Sequence, residues 1–253
     1  MKVCQPSRIF TVGLALFYFA SPASSEEIRL LATKSTELIV KELGSSYERE
    51  TGNKIVMTTD LPVATKRKID AGATFDVAIL SPILVEQLVQ EGKIIRDTRA
   101  DIVRVGIGLG VRKGANRPDI STVDAFKRTL LAAKSIAYLK EGNTGLYIAG
   151  LLERLGIAEV LRPKTKLPLT DVVSNMVANG EAEVGLTAIS LLIAEPGVET
   201  VGPIPPELQF YITFTGGVST SSTKREAARG VMKVLTGTAA LPAIRANGME
   251  PGR

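Results

Sequence analysis

Residues 102–112 read IVRVGIGLGVR, and from Val103 onward apolar residues alternate with small or charged ones. Successive side chains of a strand point to opposite faces, so this period of two predicts one long β-strand. Its three glycines allow another backbone to approach closely, or allow a bend where the chain passes between two lobes. The spacing G-x-G-x-G without a helix directly after it is not a dinucleotide-binding fingerprint. The stretch therefore predicts a strand that crosses from one part of the protein to another.

Alternating strands and helices flank this crossing strand on both sides. Before it, the patterns predict strands at 28–32, 54–59 and 76–80 and helices at 35–50, 62–70 and 81–92. After it, they predict helices that open at 121–124, 143–144 and 170–171, strands at 135–139 and 183–187, a second long alternating strand at 209–220, and a helix at 223–236. Such alternation is typical of a mostly parallel sheet covered on both faces.

Two clusters of these units, joined by long strands near 102–111 and 207–220, predict an α/β protein with two lobes, mixed sheets covered by helices, and two crossover strands. The predicted division assigns residues 26–102 and 207–253 to lobe 1 and residues 103–206 to lobe 2. One continuous doubly wound sheet is the alternative. The length of the chain favours two hydrophobic cores over one.

Residues 1–25 have the composition of an export signal. Lys2 and Arg8 are positively charged, residues 9–20 are apolar, and residues 23–25 are small enough for cleavage. The apolar stretch is shorter than the roughly 20 residues that span a bilayer, although a non-cleaved membrane anchor is the alternative. These features predict export to the periplasm.

The composition closes several routes to catalysis. The 253 residues include no His and no Trp, and the one Cys, Cys4, lies in the predicted signal. This excludes a Ser-His-Asp triad, a Cys-His dyad and an H-E-x-x-H zinc helix. There is no metal-ligand cluster and no phosphate-binding loop, and only 5% of the residues are aromatic, without an RNA-binding signature. No cofactor and no nucleic-acid partner are therefore expected.

Polar residues collect where predicted strands end, at 33–36, 58–62, 141–147 and 187–190. Ligands of open α/β folds lie off these carboxyl ends, where helix N-termini point. Each group alone is typical of helix N-caps. Four groups, two from each predicted lobe, together predict a small-anion site built from uncharged donors. Lys34 either pairs with a charge on the ligand or points to solvent.

Several segments carry a family resemblance, and they occur in order between Ile28 and Pro251: residues 32–35, residues 68–72 followed by 75–79, residues 143–147 with 152–156, and residues 179–185. Their order and spacing resemble those of the periplasmic molybdate-binding proteins and the wider solute-binding family. The resemblance implies a type II periplasmic binding fold whose two lobes close on a ligand. It also implies an ABC transporter permease in the inner membrane as the partner.

The resemblance assigns Ser35 as a hydroxyl donor, Thr144 as a backbone amide donor, and a further backbone donor near 170–172. Two side-chain donors of the family are missing, because residues 60–64 replace a Ser-rich loop and Ala188 replaces a Tyr. Molybdate, tungstate and a small organic anion thus all remain open as ligands. The resulting set of predicted ligand-binding residues is Thr33, Ser35, Thr36, Thr59, Leu61, Asn143, Thr144, Gly145, Tyr147, Asp171, Thr187 and Ala188.

The sequence as a whole predicts a monomeric, exported solute-binding component of an ABC transporter that captures a small anion and is not an enzyme. A sensor of the same fold that signals to a receptor is the alternative. An enzyme resembling the porphobilinogen-assembling relative is excluded, because that relative holds its cofactor through a Cys, and the chain after the signal has none.

Overall fold

The computed structural model describes Met1 and residues 25–170 and 172–252. The predicted export signal, apart from Met1 and Ser25, and the predicted site residue Asp171 lie outside the described residues. The strands are β1 (Glu27–Ala32), β2 (Lys54–Thr59), β3 (Val77–Leu80), β4 (Ala100–Arg112), β5 (Ile136–Ala137), β6 (Thr165–Lys166), β7 (Val184–Ala188), β8 (Val198–Pro203), β9 (Tyr211–Val218) and β10 (Met249–Pro251). The α-helices are α1 (Glu37–Thr51), α2 (Pro62–Asp70), α3 (Pro82–Gln90), α4 (Val123–Ala132), α5 (Gly142–Arg154), α6 (Ala158–Leu161), α7 (Val173–Ala178), α8 (Ile189–Ile193), α9 (Arg225–Thr236) and α10 (Leu241–Ala246), and a 3-10 turn at Lys34–Thr36 precedes α1.

The long strand β4 connects two groups of strands. The main path through the sheet runs β2-β1-β3-β9-β4-β7-β5-β6, with β8 and β10 also paired to β4. The first part of β4, up to Gly106, pairs with β9 and β10. From Ile107 onward it pairs with β7 and β8. We call β1–β3, β9, β10 and the first part of β4 the first sheet half, and the second part of β4 with β5–β8 the second sheet half.

The strand directions bring the carboxyl ends of both sheet halves face to face. β3 is antiparallel to β9, and β9 is antiparallel to β4, so β3 runs in the same direction as β4 and points toward the second half. β7 is antiparallel to β4 and points back toward the first half. Leu80, at the end of β3, and Asp101 of β4 are both in register with Thr215 of β9, so they lie at the same height in the sheet. Ala188, at the end of β7, is in register with Ile107 of β4. The two sets of ends are therefore separated by about six residues of β4, or about 20 Å.

Each sheet half carries its own main hydrophobic cluster. The first cluster includes Ile28, Val77 and Val103 and the buried faces of α1 and α9. The second includes Leu109 and Leu186 and the buried faces of α4 and α5. Apolar residues recur on one side of these helices and on alternate positions of the strands, as burial against a sheet requires. The exact division into two lobes stays a prediction. The strand partners of β4 change after Gly106, four residues beyond the predicted boundary at residue 102.

The α/β class, the mixed pairing and the long crossing strand predicted from residues 102–112 are confirmed. The helix predicted to open within residues 121–124 begins at Val123, and its N-cap is Thr122, whose Oγ1 accepts from the Ala125 amide at 3.1 Å. Some details differ from the prediction. Strands β6, β8 and β10 were not predicted, because two or three residues, or a run containing Gly and Pro, show no clear alternation. None of the helices in the described residues is long and apolar enough to cross a membrane.

Candidate ligand-binding site

The carboxyl ends of β1–β3 and of β5–β7 define the space that we call the candidate cleft. The two sides are in direct contact where Ser190 Oγ, just after β7, donates a hydrogen bond to the carbonyl of Ser35, just after β1, at 3.0 Å. These residues lie 155 positions apart in the sequence. The structure thus brings together the ends of two strands that the sequence assigned to opposite sides of one site.

The 3-10 turn after β1 is a compact hydroxyl network. Thr36 Oγ1 donates to the Thr33 carbonyl at 3.0 Å, and the Thr36 amide donates to the same oxygen, also at 3.0 Å. The hydroxyls of Thr33 and Thr36 lie 3.3 Å apart, and both residues are buried. Ser35 is half-buried, and its hydroxyl has no partner among the residues that the structure describes. The turn therefore holds Ser35 on a rigid support with its hydroxyl available to a ligand.

Lys34, in the same turn, points to the surface. Its ammonium group forms an ion pair with Glu37 at 2.6 Å, and more than half of its side chain is exposed. Glu37 also pairs with Lys41, and both lysines, through their hydrogen bonds, hold the pKa of the Glu37 carboxyl below its usual value. Lys34 was predicted either to pair with a charge on the ligand or to point to solvent. In the structure it points to solvent, and its charge is balanced by Glu37.

At the end of β2 the polar groups satisfy each other. Thr59 is in register with Ala32 of β1, and the Asp60 amide donates to the Ala32 carbonyl at 3.3 Å. The Asp60 carboxylate pairs with Lys68 at 2.8 Å and accepts from the Leu61 amide at 2.7 Å, and these two contacts lower its pKa. The Leu61 side chain is exposed. This corner therefore presents an apolar side chain where the resembled family has hydroxyl donors.

The second sheet half contributes the N-terminus of α5. Glu141 is the N-cap without a side-chain hydrogen bond, and Asn143 is exposed while Thr144 is half-buried. Gly145 is buried, and a Cβ at this position would overlap the Leu139 carbonyl oxygen, so only glycine allows the helix to start this close to the end of β5. The first-turn amides of a helix have no partner within the helix, and they attract anions. Asn143 and Thr144 lie inside the first turn, with their amides toward its N-terminal end.

Tyr147 is placed differently from the other predicted residues. Its ring stacks on Phe210 with centroids 4.6 Å apart, and its hydroxyl donates to the Leu208 carbonyl at 2.8 Å. Arg154 lies over the same ring, 5.3 Å from its centroid. Because the hydroxyl already has an acceptor, Tyr147 attaches α5 to the segment before β9.

The end of β7 provides one free hydroxyl and one apolar residue. Thr187 is buried, and within the described part of the chain its hydroxyl has no hydrogen-bond partner. Ala188 is buried within the cluster of the first sheet half. Ser190, which contacts Ser35, was not among the predicted site residues, although it belongs to the same polar run after β7.

The remaining chemistry of the site is simple. No group of three or more metal-ligating side chains occurs among the described residues. Cavities of about 650 Å³, between α4 and the end of β4, and about 430 Å³, beside residues 201–211, contain none of the predicted site residues. The candidate cleft thus combines hydroxyls, helix-start amides and apolar side chains, an arrangement that can hold an anion without a metal.

Comparisons with known proteins agree with this geometry. The family model for bacterial extracellular solute-binding proteins matches residues 28–250. An aconitate isomerase from a Pseudomonas species is 32% identical over 218 residues, covering 84% of this chain and 83% of that protein. The molybdate-binding protein ModA of Azotobacter vinelandii is 25% identical over 94% of this chain and 95% of its own length. The solved structure of the periplasmic molybdate-binding protein from the same organism has a TM-score of 0.73 and 17% identity, with 88% of this chain and 98% of that chain covered. The chain belongs to the bacterial extracellular solute-binding protein family, and the predicted resemblance is confirmed.

Proposed function

We propose that this member of the bacterial extracellular solute-binding protein family captures a small organic carboxylate in the candidate cleft and delivers it to an ABC transporter permease. The observation that carries the choice of ligand is the pairing of free donors with apolar side chains. Ser35 and Thr187 offer hydroxyls, Leu61 offers an exposed apolar side chain, and Ala188 supplies no donor. A ligand that fits both the hydroxyl donors and the apolar surface has charged oxygens at one part and a hydrocarbon skeleton at another.

A tetrahedral oxyanion fits this set of groups less well. Its oxygens cover its whole surface, so each oxygen that faces an apolar wall loses water without gaining a donor. Each missing donor costs about 1–3 kcal/mol, or roughly tenfold to a hundredfold in affinity. With two side-chain donors replaced, molybdate or tungstate is expected to bind more weakly here than a carboxylate does.

The relative named aconitate isomerase supports the same class of ligand, because aconitate is a small unsaturated tricarboxylate. Closure of the two sheet halves on such a ligand would exclude water. Hydrogen bonds from uncharged donors are stronger at the lower dielectric of a closed cleft, so they can hold a charged ligand there. Release of the ligand to the permease then requires the cleft to reopen.

The same relative favours a second candidate function, the isomerisation of an unsaturated carboxylate. The prediction that the chain is not an enzyme stays open on this account, because the identity is 32% over most of both chains. Migration of a carbon–carbon double bond needs a proton to leave one carbon and another to be added two carbons away, with no oxidant or cofactor. Since the chain has no His, a carboxylate, an amine or a phenol would have to move that proton.

Export to the periplasm by residues 1–25 and a monomeric state are parts of the proposal. They agree with the extracellular class of protein that the family name states. A sensor that signals to a receptor has the same cleft, so uptake of the ligand by cells with and without the gene separates the two roles.

Thermal denaturation with a panel of anions tests the ligand class. We expect citrate, cis-aconitate, trans-aconitate or another di- or tricarboxylate to raise the midpoint progressively as its concentration exceeds its Kd, and molybdate, tungstate and sulfate to raise it less at the same concentration. Ser35→Ala should weaken binding about tenfold to a hundredfold. The control Ser45→Ala removes an exposed hydroxyl of α1 that is bonded to the Lys41 carbonyl, and it should leave the affinity unchanged. A larger shift with molybdate than with any carboxylate would contradict the proposal.

Proton NMR in D₂O separates binding from isomerisation. The protein is mixed with cis-aconitate, and the spectra are followed for the trans isomer and for deuterium incorporated at carbon. Stoichiometric binding without conversion supports the binding function alone. Conversion that rises with protein concentration, and that falls in Ser35→Ala at substrate concentrations below saturation, establishes the second candidate.

A further inference from the structure

The crossing strand changes partners within two residues. Gly106 is the last residue of β4 in register with β9, opposite Tyr211. Ile107 is in register with Ala188 of β7, and Gly108 with Pro203 of β8. Between the last contact with β9 and the first with β8, the backbone of Ile107 needs hydrogen-bond partners from another source, because buried backbone groups are nearly always paired.

The side chain of Gln209 supplies these partners. Its Oε1 accepts from the Ile107 amide at 2.7 Å, and its Nε2 donates to the Ile107 carbonyl at 3.0 Å. The same Oε1 accepts from the amide of Phe210 at 3.0 Å, and the Ile204 amide also donates to the Ile107 carbonyl, at 3.1 Å. A primary amide thus takes the place of a strand backbone at the junction of the two sheet halves.

Gly106 makes room for this amide. A Cβ at Gly106 would lie 3.0–3.1 Å from the carbon, nitrogen and oxygen of the Gln209 carboxamide, closer than such contacts normally are. Any larger residue would therefore push the amide away from Ile107. Gln209 and Gly106 fit together as one unit.

This unit is connected to the candidate cleft. Tyr147 of α5 stacks on Phe210 and donates to the carbonyl of Leu208, the two neighbours of Gln209. Thr144, at the start of the same helix, lies one turn before Tyr147. A rotation about the junction at Gln209 therefore moves the N-terminus of α5 relative to the turn at Ser35.

We propose that Gln209, seated against Gly106, is the positioning residue about which the two sheet halves close, and that it sets the affinity of the cleft. This inference rests on the proposed capture of a ligand between the halves. The two amide hydrogen bonds confine the halves to a narrow range of angles, so the ligand meets a largely preorganised cleft. Without them more open arrangements are populated, and the apparent affinity falls by the fraction of molecules that can close correctly.

The test measures ligand affinity and local opening in Gln209→Ala, Gly106→Ala and the double variant. The ligand is the carboxylate that gives the largest thermal shift with the wild type. We expect each single variant to lose affinity about fivefold to twentyfold. Amide exchange at Ile107 should rise in both. In the double variant, Gly106→Ala should add little to Gln209→Ala, because the group that it displaces is already gone.

Glu207→Gln is the matched control, because Glu207 is an exposed near neighbour and should leave the affinity unchanged. Gln209→Glu is the second variant in case Gln209→Ala does not fold. It keeps the acceptor for the Ile107 amide but places a carboxylate oxygen against the Ile107 carbonyl, so a loss of affinity at least as large as that of Gln209→Ala is expected.

Unchanged affinity in Gln209→Ala or Gln209→Glu, with or without a loss of stability, would overturn the inference and leave the proposed function standing. Additive losses in the double variant would also overturn it. Failure of the wild type to bind any anion of the panel overturns the proposed function instead, and this outcome is read before any variant is made.

Discussion

The two edges of the candidate cleft are built in different ways. The edge at Lys34–Thr36 is held by hydrogen bonds among buried hydroxyl, amide and carbonyl groups. The edge at Gly142–Thr144 has no side-chain cap, and Gly142 and Asn143 are exposed. The second edge is positioned by packing, because Gly145 lets the helix rest on the Leu139 backbone.

This difference indicates that the two edges have different roles in binding. The polar groups of the turn at Ser35 already form hydrogen bonds with each other, so the turn keeps its shape without a ligand. This preorganised edge therefore selects ligands by their geometry. A helix start with open amides supplies a partial positive charge but needs its position to be set by neighbours. The variants below perturb one edge at a time, and the largest effect is expected at the edge that depends on packing.

Gly145→Ala is expected to destabilise the protein most, by about 3 kcal/mol, and to abolish binding. The added Cβ would overlap the Leu139 carbonyl oxygen, so the start of α5 has to move away from β5. Urea denaturation measures the free energy of unfolding, and titration with the carboxylate measures the affinity.

Gly150→Ala is the control on the same helix. Its Cβ would meet only the tip of Arg154, at 3.7 Å, so this change should be neutral or should stabilise the helix by about 0.5–1 kcal/mol. Equal stability of the two variants would show that the second edge does not depend on the close approach at Gly145.

Thr144→Pro is expected to weaken binding about tenfold or more while changing stability little. Proline removes the amide hydrogen of the first helical turn, where the backbone makes no bond within the helix. Thr144→Val keeps that amide and should bind markedly tighter than Thr144→Pro. Isothermal titration gives the affinities, and circular dichroism checks the helix content. Equal affinity in the two variants would mean that the second edge does not bind through this amide.

The sequence predicts the edge at Lys34–Thr36 more accurately than the edge at Gly142–Thr144. Thr33, Ser35 and Thr36 follow a strand with clear alternation, so local pattern places them correctly at its carboxyl end. At the second edge, Asn143 and Thr144 have the composition of helix caps, yet α5 begins one residue earlier, after Glu141. Gly142 takes a φ of 79° there, a conformation that glycine adopts without strain.

The contacts between the sheet halves could not be predicted from the sequence. Ser190 contacts Ser35 across 155 residues, and Gln209 contacts Ile107 across 102. A serine after a strand or a glutamine among prolines has no period, spacing or charge pattern that shows its distant partner. Only the strand directions, which follow from the register of β4 with β7 and β9, bring these residues together.

Glu37→Gln gives the smallest effect, and it acts in opposite directions on stability and affinity. The pKa of Glu37 lies below its usual 4.5 because Lys34 and Lys41 hydrogen-bond to its charged form. A lowered pKa stabilises the fold above about pH 4.5 and ceases to do so as the pH falls through the lowered value. Since Lys34 and Lys41 are largely exposed, the stability lost at pH 7 should stay below about 1 kcal/mol, and the loss should shrink as the pH falls below about 4.5.

The same substitution frees the charge of Lys34 beside Ser35 and removes a negative charge, so anion affinity should rise about twofold at low salt. Glu159→Gln, which breaks an exposed pair with Arg162 in the second sheet half, should change neither quantity. Denaturation curves from pH 3 to pH 7, with titrations at two salt concentrations, measure both effects. A stability difference that does not shrink between pH 7 and pH 3 would show that Glu37 stabilises the fold through packing and not through its charge.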